Sequence, residues 1–461
     1  MALQTLISYL LMVFCDIESL PRVTLAVNLA YQSIMHAQRM YYDYEGYTLD
    51  ITGALMMLTQ RLTSLAFSLR DGHFPNKCVP YMLKTAVKTK PDVITYFAYA
   101  FDFHMILCGP LIPFREFEAV TNGTNFDERR RFHDKHRGDE ASTTNSSMKP
   151  RSANPRHCLD DPNPTPYVLK RTFYCFLCVA MVMLVVPRFR LDFLFSDEFT
   201  SQLMPVKLFW LFVYTALTRQ QYSLIWKMAE AICNSSNFGY RFVDGEDRWD
   251  GCTNVDIWGV ETAISQRDGL AAWNKSTQQW LRSICYDRVA SNKTLMTFFL
   301  SAAWHGFYPG YYLTFMTLAV QTLAARNVRR SIRPLFQRSR TSQLLWDGIT
   351  FVTTIIGFAY ATIPFILLSF GKSVSMWSQV YFCGHVFSAL AIFVLPKVIP
   401  ARNGSATNSR STNSIAPDAA DSNKVVVGRS DAESKTTTIA ATETPVPLSQ
   451  SHHGTPGFRQ G

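Results

Sequence analysis

The sequence predicts an all-α, polytopic membrane protein, and two observations carry this prediction. Long apolar segments recur through residues 1–118 and 162–397, and several approach the length of about 20 residues that a membrane-spanning helix needs. A mean hydropathy of +0.00 and 17% charged residues would by themselves suit a soluble protein, but these values average an apolar body with two hydrophilic segments. A soluble protein built from very apolar helices is the alternative.

Apolar length identifies the candidate spans in order along the chain. We expect about eight membrane helices, at Ala2–Phe14, Val23–Ile34, Val93–Phe114, Phe173–Pro187, Leu203–Leu217, Leu295–Ala325, Ile349–Phe370 and Met376–Val398. The segment Leu49–Leu69 is more amphipathic and is predicted to be either a span or a buried helix. No Lys or Arg precedes Arg22, so we interpret the start of the chain as a membrane segment rather than a signal peptide, which begins with basic residues.

The two hydrophilic segments divide the chain into four parts. We expect N-terminal membrane helices over 1–118, a hydrophilic mobile loop over 119–161, a membrane core over 162–398 and a disordered tail over 399–461. Both hydrophilic segments have too few apolar side chains to bury a core of their own. The candidate catalytic residues described below all lie in the third part, which is therefore the predicted catalytic core.

The net charge of +10 is concentrated in short clusters, of which the clearest is the arginine-rich loop 326–340. Nucleic-acid binding is one interpretation of such a cluster. Between two membrane segments, however, an excess of arginine marks the cytosolic side. We therefore expect this loop and the tail to lie in the cytosol, a lipid bilayer around the apolar segments, and no nucleic-acid partner.

The ten cysteines are scattered along the chain and show no disulfide framework. Cys175 and Cys178 form a C-x-x-C pair inside an apolar segment. A structural zinc site would need four ligands, and no second pair is present. Buried structural thiols are the favoured interpretation, and no metal site is predicted.

His305 is the first candidate for chemistry. It lies about ten residues, or roughly 15 Å, into Leu295–Ala325, which contains no Lys, Arg, Asp or Glu. Ionisable groups at that depth are costly and usually face a cavity or the protein interior. Pro309 should free the carbonyl of His305 and kink the helix there, and Gly306 and Gly310 should share one face. Neutral histidine is a good base near pH 7, although a packing role in a kinked helix is equally compatible with these residues.

The second candidate lies in AAWNKSTQQWLRSICYDR, residues 271–288, which is too polar to span a membrane. Its aromatic residues suggest an interfacial or re-entrant helix, with Trp273, Thr277 and Trp280 or Leu281 on one face. Asn274 is a candidate helix N-cap. Its amide is equally suited to orienting a substrate or stabilising developing negative charge. His104, in the predicted span Val93–Phe114, is favoured as a structural residue.

Together, WNKSTQQWL and SAAWHGFYPGYYLTF resemble the paired signature of the membrane-bound O-acyltransferase (MBOAT) family, and more closely its lysophospholipid acyltransferase branch. LTQRLTSLAFSLRDG, CGPLIPFREF, YSLIWKMAEAIC and NVDIWGVETA support the resemblance, which covers most of residues 20–398. It implies an MBOAT-type helical bundle with a catalytic chamber between helices. Family members usually have further membrane helices before the point that matches residue 20, and 119–161 looks like an insertion.

The resemblance also implies roles for single residues. His305 and Asn274 match the family's two catalytic positions, and the neighbouring Trp304, Gly306, Gly310 and Trp273 are candidate substrate contacts. The family transfers an acyl chain from acyl-CoA to a hydroxyl group on a lipid, sterol or peptide. Its lysophospholipid branch usually transfers unsaturated chains to lysophospholipids in the endoplasmic reticulum membrane. No cofactor is implied beyond acyl-CoA as co-substrate.

The expected reaction is direct transfer, in which His305 takes the proton of the acceptor hydroxyl and Asn274 positions a substrate or stabilises the oxyanion. Two alternatives stay open. One is an MBOAT acyltransferase with a sterol or protein acceptor, and the other is a membrane transporter that uses His305 as a proton relay and Pro309 as a hinge. Glu230, in an apolar setting, is either a structural partner or a substrate contact.

Overall fold

The computed structural model describes residues 1–44, 46, 51–143 and 161–400. The chain separates into one unit over residues 1–403 and a second over residues 404–461, and everything described lies in the first. The predicted tail, apart from residues 399 and 400, and residues 144–160 of the predicted loop lie outside the described residues.

The described chain is built almost entirely from helices. They are α1 (Ala2–Phe14), α2 (Leu20–Tyr42), α3 (Thr52–His73), α4 (Pro80–Thr85), α5 (Val93–Ala100), α6 (Phe114–Thr121), α7 (Asp127–Thr143), α8 (Thr165–Leu184), α9 (Asp197–Thr200), α10 (Met204–Ser235), α11 (Ile257–Glu261), α12 (Gln266–Ala272), α13 (Lys275–Leu281), α14 (Lys293–His305), α15 (Pro309–Ser331), α16 (Arg340–Leu367), α17 (Phe370–Gln379), α18 (Cys383–Ala389) and α19 (Leu395–Val398). Short 3₁₀ turns lie at Pro75–Lys77, Val186–Arg188, Leu191–Phe195 and Arg333–Phe336, and π-helical turns at Arg282–Tyr286 and Leu390–Val394.

One antiparallel ribbon follows α10. It pairs β1 (Arg241–Val243) with β2 (Glu246–Arg248) and places Phe242 opposite Asp247. Helix α7 packs beside it, because the ring of Phe132 lies 5.2 Å from that of Phe242 and Arg129 Nε donates to Asp247 Oδ2 at 3.2 Å. The predicted loop 119–161 is therefore helical in part, which its polar composition alone did not indicate.

Helix α3 is the centre of the N-terminal half and packs against α2. It is buried along most of its length, so the described part of Leu49–Leu69 forms a buried helix, and residues 49 and 50 lie outside the described residues. Thr59 of α3 bonds to α1, because its Oγ1 accepts from Gln4 Nε2 at 2.9 Å, and the same Gln4 nitrogen donates to Asn28 Oδ1 of α2 at 2.8 Å. Such pairing is what a polar group needs when it is shielded from water.

The predicted span Val93–Phe114 is wrong. Helix α5 ends at Ala100, and the chain then turns until α6 begins at Phe114. The carboxylate of Asp102 accepts a hydrogen bond from the backbone N–H of His104 at 2.9 Å and so stabilises the turn. Prolines at 110 and 113 also oppose a continuous helix.

In the C-terminal half, α10 packs against α8 and α16, and α15 packs against α14 and α16. A core cluster joins Leu211 and Tyr214 of α10 to Ile363 of α16 and Met376 of α17. This packing brings α10, α14, α15 and α16 together around the candidate site.

The predicted span Leu295–Ala325 is two helices rather than one kinked helix. Helix α14 ends at His305, Gly306 has a φ of +117°, and α15 begins with Pro309 as its first residue. A φ in that range suits glycine and stops a right-handed helix. Pro309 therefore starts a helix, where its missing N–H has no cost, and Gly306 and Gly310 do not share one helical face.

The predicted span Met376–Val398 is also broken. Phe370–Gln379 and Cys383–Val398 meet at an angle of 78°. Two helices of the described chain, Thr165–Arg188 and Arg340–Leu367, are long and apolar enough to cross a membrane, and counting the bent pair as one span makes three. Length and composition therefore identify fewer spans in the described chain than the predicted eight, and the number of membrane crossings stays a prediction.

Candidate functional site

Asn274 lies in a tight connection between α12 and α13, and its backbone is left-handed with a φ of +46°. Its side chain makes no capping hydrogen bond to α13, so the alternative of a side-chain helix cap is wrong. Instead Oδ1 of Asn274 accepts a hydrogen bond from Asn254 Nδ2 at 3.2 Å. Because the oxygen is engaged in this way, the NH₂ group of Asn274 is the donor that a bound substrate can meet.

Asn254 fixes this connection from the opposite side. Its Oδ1 accepts from the backbone N–H of Ser276 at 2.9 Å and from Ser276 Oγ at 2.8 Å, and its carbonyl accepts from the N–H of Lys275 at 2.9 Å. Asn254 is buried. Sequence reasoning quoted its segment, NVDIWGVETA, but gave this residue no role, since its partners lie about twenty residues away.

Helix α13 presents a buried face to α3, as predicted for part of the segment. Thr277 Oγ1 accepts from Gln60 Nε2 at 2.9 Å, and Trp280 Nε1 donates to Thr63 Oγ1 at 3.0 Å. Trp273 belongs to a different surface, because it lies outside α13 and packs its ring 4.8 Å from that of Trp226.

His305 is the last residue of α14. Its Nδ1 lies 2.7 Å from the carbonyl oxygen of Ser301. A carbonyl oxygen only accepts hydrogen bonds, so Nδ1 carries the proton and Nε2 holds the lone pair in the neutral ring. Across the described part of the chain, Nε2 has no hydrogen-bond partner. This is the tautomer that a general base requires.

Four aromatic rings from α14, α15 and α16 surround the imidazole. The centroid distances from His305 are 4.7 Å to Trp304, 4.8 Å to Phe315, 5.4 Å to Phe365 and 5.8 Å to Tyr311. Rings of this kind give the site apolar walls, which suits acyl chains.

Ring contacts also connect the Asn274 turn to His305. Trp273 lies 6.1 Å from Tyr222, and Tyr222 lies 6.5 Å from Phe365, which contacts the imidazole. A second connection joins Trp280 to Trp304 at 5.5 Å. The two predicted catalytic side chains do not hydrogen-bond to each other within the described structure, but their segments form one packed unit.

The other candidate substrate contacts have contacts inside the protein. Trp304 is buried, and its Nε1 donates to the carbonyl of Met56 at 3.1 Å. The N–H of Gly310 donates to the carbonyl of Leu368 at 2.7 Å, and a Cβ at residue 310 would come within 2.1 Å of the Pro364 carbonyl oxygen. Close packing thus accounts for the glycine at 310. Substrate contacts by Trp273, Trp304, Gly306 and Gly310 stay predictions.

Two further histidines use both ring nitrogens. His104 bonds through Nδ1 to Asp102 at 2.9 Å and through Nε2 to Ser236 Oγ at 2.8 Å, which ties the α5–α6 turn to the end of α10 and fits its predicted structural role. His385 bonds through Nδ1 to Tyr360 OH at 2.5 Å and through Nε2 to Thr317 Oγ1 at 3.3 Å.

Glu230 is completely buried and fully paired. Its carboxylate accepts from Arg171 Nε at 2.7 Å, from Lys227 Nζ at 2.8 Å and from Thr253 Oγ1 at 2.5 Å. These contacts favour the structural alternative, and they anchor the residue that precedes Asn254. Among the described residues, no group of three or more His, Cys, Asp or Glu side chains could hold a metal ion, and Cys175 and Cys178 are free thiols.

Comparisons with known proteins identify the family and relatives of this chain. The pattern of MBOAT, the membrane-bound O-acyltransferase family, matches residues 39–367. Lysophospholipid acyltransferase 6 of Drosophila melanogaster is 34% identical over 399 residues, which cover 85% of this chain and 53% of the relative. Membrane-bound glycerophospholipid O-acyltransferase 2 of Gallus gallus is 33% identical over 400 residues, covering 86% and 74%. Membrane-bound glycerophospholipid O-acyltransferase 1 of Homo sapiens is 32% identical over 397 residues, covering 85% and 77%.

The fold and the site thus define a class of protein: it is helical and membrane-embedded, and an imidazole and an amide lie in one packed unit. The chain belongs to the membrane-bound O-acyltransferase family, and the resemblance found in its two motifs is confirmed. The chain spans about half the length of the fruit-fly relative and about three quarters of the length of the other two.

Proposed function

We propose that this protein is a lysophospholipid acyltransferase that moves an acyl chain from acyl-CoA to the free hydroxyl of a lysophospholipid, in phospholipid remodelling. The observation that carries the proposal is the geometry of His305. Its Nδ1 is bonded to the carbonyl of Ser301, and its Nε2 holds the lone pair among apolar rings. The names of the relatives supply the substrate class.

In the proposed reaction, Nε2 of His305 takes the proton of the glycerol hydroxyl as its oxygen attacks the thioester carbonyl. General-base assistance of this kind is typically worth about a hundred- to ten-thousand-fold in rate. The tetrahedral intermediate then collapses, the C–S bond breaks, and CoA leaves as a thiolate that takes the proton from the imidazolium. No covalent acyl-enzyme is needed.

Asn274 has the second role. Its NH₂ group, oriented by the bond from Asn254 to Oδ1, donates to the oxygen that becomes negative in the intermediate. Donors held in place before the reaction stabilise such an oxyanion without reorganising. The buried hydrogen bonds of Asn254 supply that rigidity.

The finer features of the proposal rest on family resemblance. They are acyl-CoA as the donor, a preference for unsaturated chains, and residence in the endoplasmic reticulum membrane as a multi-pass protein. A sterol or protein acceptor is a second candidate within acyl transfer. A transporter with His305 as a proton relay would leave the oriented amide of Asn274 without a role.

Acyl transfer in microsomes tests the proposal. The intact chain and His305→Ala would be expressed at matched levels and offered labelled oleoyl-CoA with a panel of lysophospholipids, a sterol and a peptide acceptor. We expect phospholipid product from the intact chain and its loss in His305→Ala. Equal product from both would contradict the role of His305. Product on the sterol or peptide alone, or no product on any acceptor, would contradict the proposed substrate class.

A further inference from the structure

His305 lies at the end of α14, where the backbone carbonyl groups need partners from outside the helix. The last four carbonyl groups of a helix have no partner within the helix. Here the N–H of Gly306 reaches the carbonyls of Ala302 at 3.2 Å and Ala303 at 3.3 Å. The carbonyl of Trp304 comes next, in a buried setting where an unpaired carbonyl would be costly.

Helix α2 supplies the partner for this carbonyl from a point about 270 residues earlier in the chain. Gln32 Nε2 donates to the carbonyl oxygen of Trp304. His36 lies one turn further along α2, with Nε2 at 3.3 Å from the same oxygen and 3.1 Å from Gln32 Nε2. Gln32 is 1% exposed and His36 is 6% exposed.

The tautomer of His36 does not change the main contact. If Nε2 of His36 carries the proton, it donates to the Trp304 carbonyl beside Gln32. If Nδ1 carries the proton, Nε2 accepts from Gln32 and orients its amide. In both cases Gln32 donates to the Trp304 carbonyl, and His36 adds either a second hydrogen bond to that carbonyl or an acceptor that orients the Gln32 amide.

The same imidazole also limits the residue after His305. A Cβ at residue 306 would lie 3.1 Å from both Cγ and Nδ1 of His36. The backbone on both sides of His305 is therefore in contact with α2. The contacts come from a face of α2 with a polar side chain every four residues, all at most 6% exposed: Thr24, Asn28, Gln32 and His36.

This polar face contacts two different helices, α1 and α14. Asn28 serves α1, because its Nδ2 donates to Ser8 Oγ at 2.8 Å and its Oδ1 accepts from Gln4. Gln32 and His36 instead contact the Trp304 carbonyl of α14. Polar residues inside a membrane body are expensive, and a pair that meets the peptide next to the catalytic histidine points to a functional reason for keeping it.

We propose that Gln32 and His36 are positioning residues that hold the Trp304–His305 peptide at the end of α14, and thereby aim the imidazole of His305. We call this pair the α2 clamp. The proposal rests on the proposed function of His305 as general base. Without the clamp the last turn of α14 would fray, because the carbonyl of Trp304 would lose its partner, and ring packing and the Nδ1–Ser301 bond would then act on a less ordered backbone.

Gln32→Leu tests the clamp directly, since leucine keeps a similar volume and cannot donate. Gln38→Leu is the matched control, because Gln38 lies on the same helix and is exposed. Purified enzyme should show a fall in kcat of about ten- to a hundred-fold for Gln32→Leu, with KM for both substrates within about twofold, since misplacement by about 1 Å can cost that much. Gln38→Leu should keep the activity of the intact chain. An unchanged kcat for Gln32→Leu would overturn the proposal, as would a loss seen only in KM.

His36 provides a rescue test. Glutamine at 36 carries a nitrogen at about the reach of the imidazole Nε2, whereas alanine carries none. We expect His36→Gln to keep most of the kcat and His36→Ala to lose it. Equal losses in the two variants would overturn the role of His36.

Hydrogen exchange separates a failed clamp from a failed function. In nanodiscs, the backbone amides of residues 302–308 should exchange faster in Gln32→Leu than in Gln38→Leu, whether or not any acceptor is turned over. Equal exchange rates would overturn the clamp. An intact chain without acyl transfer on any acceptor would overturn the proposed function, and exchange alone would then decide the clamp.

Discussion

Within the described residues, the predicted spans Leu295–Ala325 and Met376–Val398 are both broken, and each of these two breaks has a histidine beside it. His305 ends α14 just before Gly306, and His385 lies in the first turn of α18 after the 78° bend. In His385 both ring nitrogens are bonded, to Tyr360 and Thr317, whereas in His305 only Nδ1 has a hydrogen-bond partner among the described residues. A histidine at a broken helix is thus not enough to mark a catalytic centre, and the nitrogen left for a substrate is what distinguishes the two.

The surroundings of the two histidines also differ, because the groups around His385 bond to one another. His385 packs its ring 4.5 Å from that of Trp377, whose Nε1 donates to the carbonyl of Tyr360 at 2.9 Å. These contacts pack α16, α17 and α18 against one another at the second break. The first break instead lies in the same packed unit as Asn274, whose side-chain amide is an oriented donor. The second break is therefore best explained as a structural joint.

The largest effect expected after loss of the base itself comes from Asn274→Ala. Removing an oxyanion donor typically lowers kcat by about a hundred- to a thousand-fold, and we expect that loss in the acyl-transfer assay. Asn292→Ala is the control, because Asn292 is also left-handed at the start of a helix but is exposed. A similar loss in both variants would show that left-handed asparagines matter for folding alone.

A smaller effect is expected from alanine at the first break. Gly306→Ala places a side chain at a φ of +117° and against His36, which should cost about 1–3 kcal/mol of stability. Gly371→Ala, at the second broken pair, meets open space in a helix and should gain about 0.5–1 kcal/mol. Thermal unfolding in detergent compares the two. Equal melting temperatures would mean that the conformation of Gly306 is not required.

The smallest effect concerns the second break. Tyr360→Phe removes the hydroxyl that bonds His385 and should lower stability by about 1 kcal/mol. We expect kcat to stay within about twofold of the intact chain, because this joint does not touch the reacting groups. A hundredfold fall in kcat with normal stability would place the second break in the catalytic centre and remove the distinction between the two.

Sequence reasoning located the two catalytic candidates and the family, because WNKSTQQWL and SAAWHGFYPGYYLTF are local patterns. It also gave α1 its bounds and identified Leu49–Leu69 as amphipathic. It predicted a kink where the chain has a full break, since Gly306 packs against His36 of α2 and Gly310 against Pro364 of α16, and neither contact can be read from the neighbouring residues.

The residues that support the site could not be found in this way. Asn254 orients Asn274, and Gln32 and His36 hold the end of α14, but each acts on a residue far away in sequence. The predicted span Val23–Ile34 was chosen for its apolar content, which concealed the polar face of α2. A polar residue at every fourth position was the one local signal available, and it indicates a buried contact without naming the partner.

The proposed general base is His305 and not His385. The most direct test compares His305→Gln with His385→Gln in the acyl-transfer assay, using equal amounts of folded protein in nanodiscs. Glutamine keeps a polar side chain of similar reach but cannot take up a proton near neutral pH. We expect a fall in kcat of about a hundred- to ten-thousand-fold for His305→Gln and a change of at most a few-fold for His385→Gln. Equal losses in the two variants, or a greater loss in His385→Gln, would contradict it.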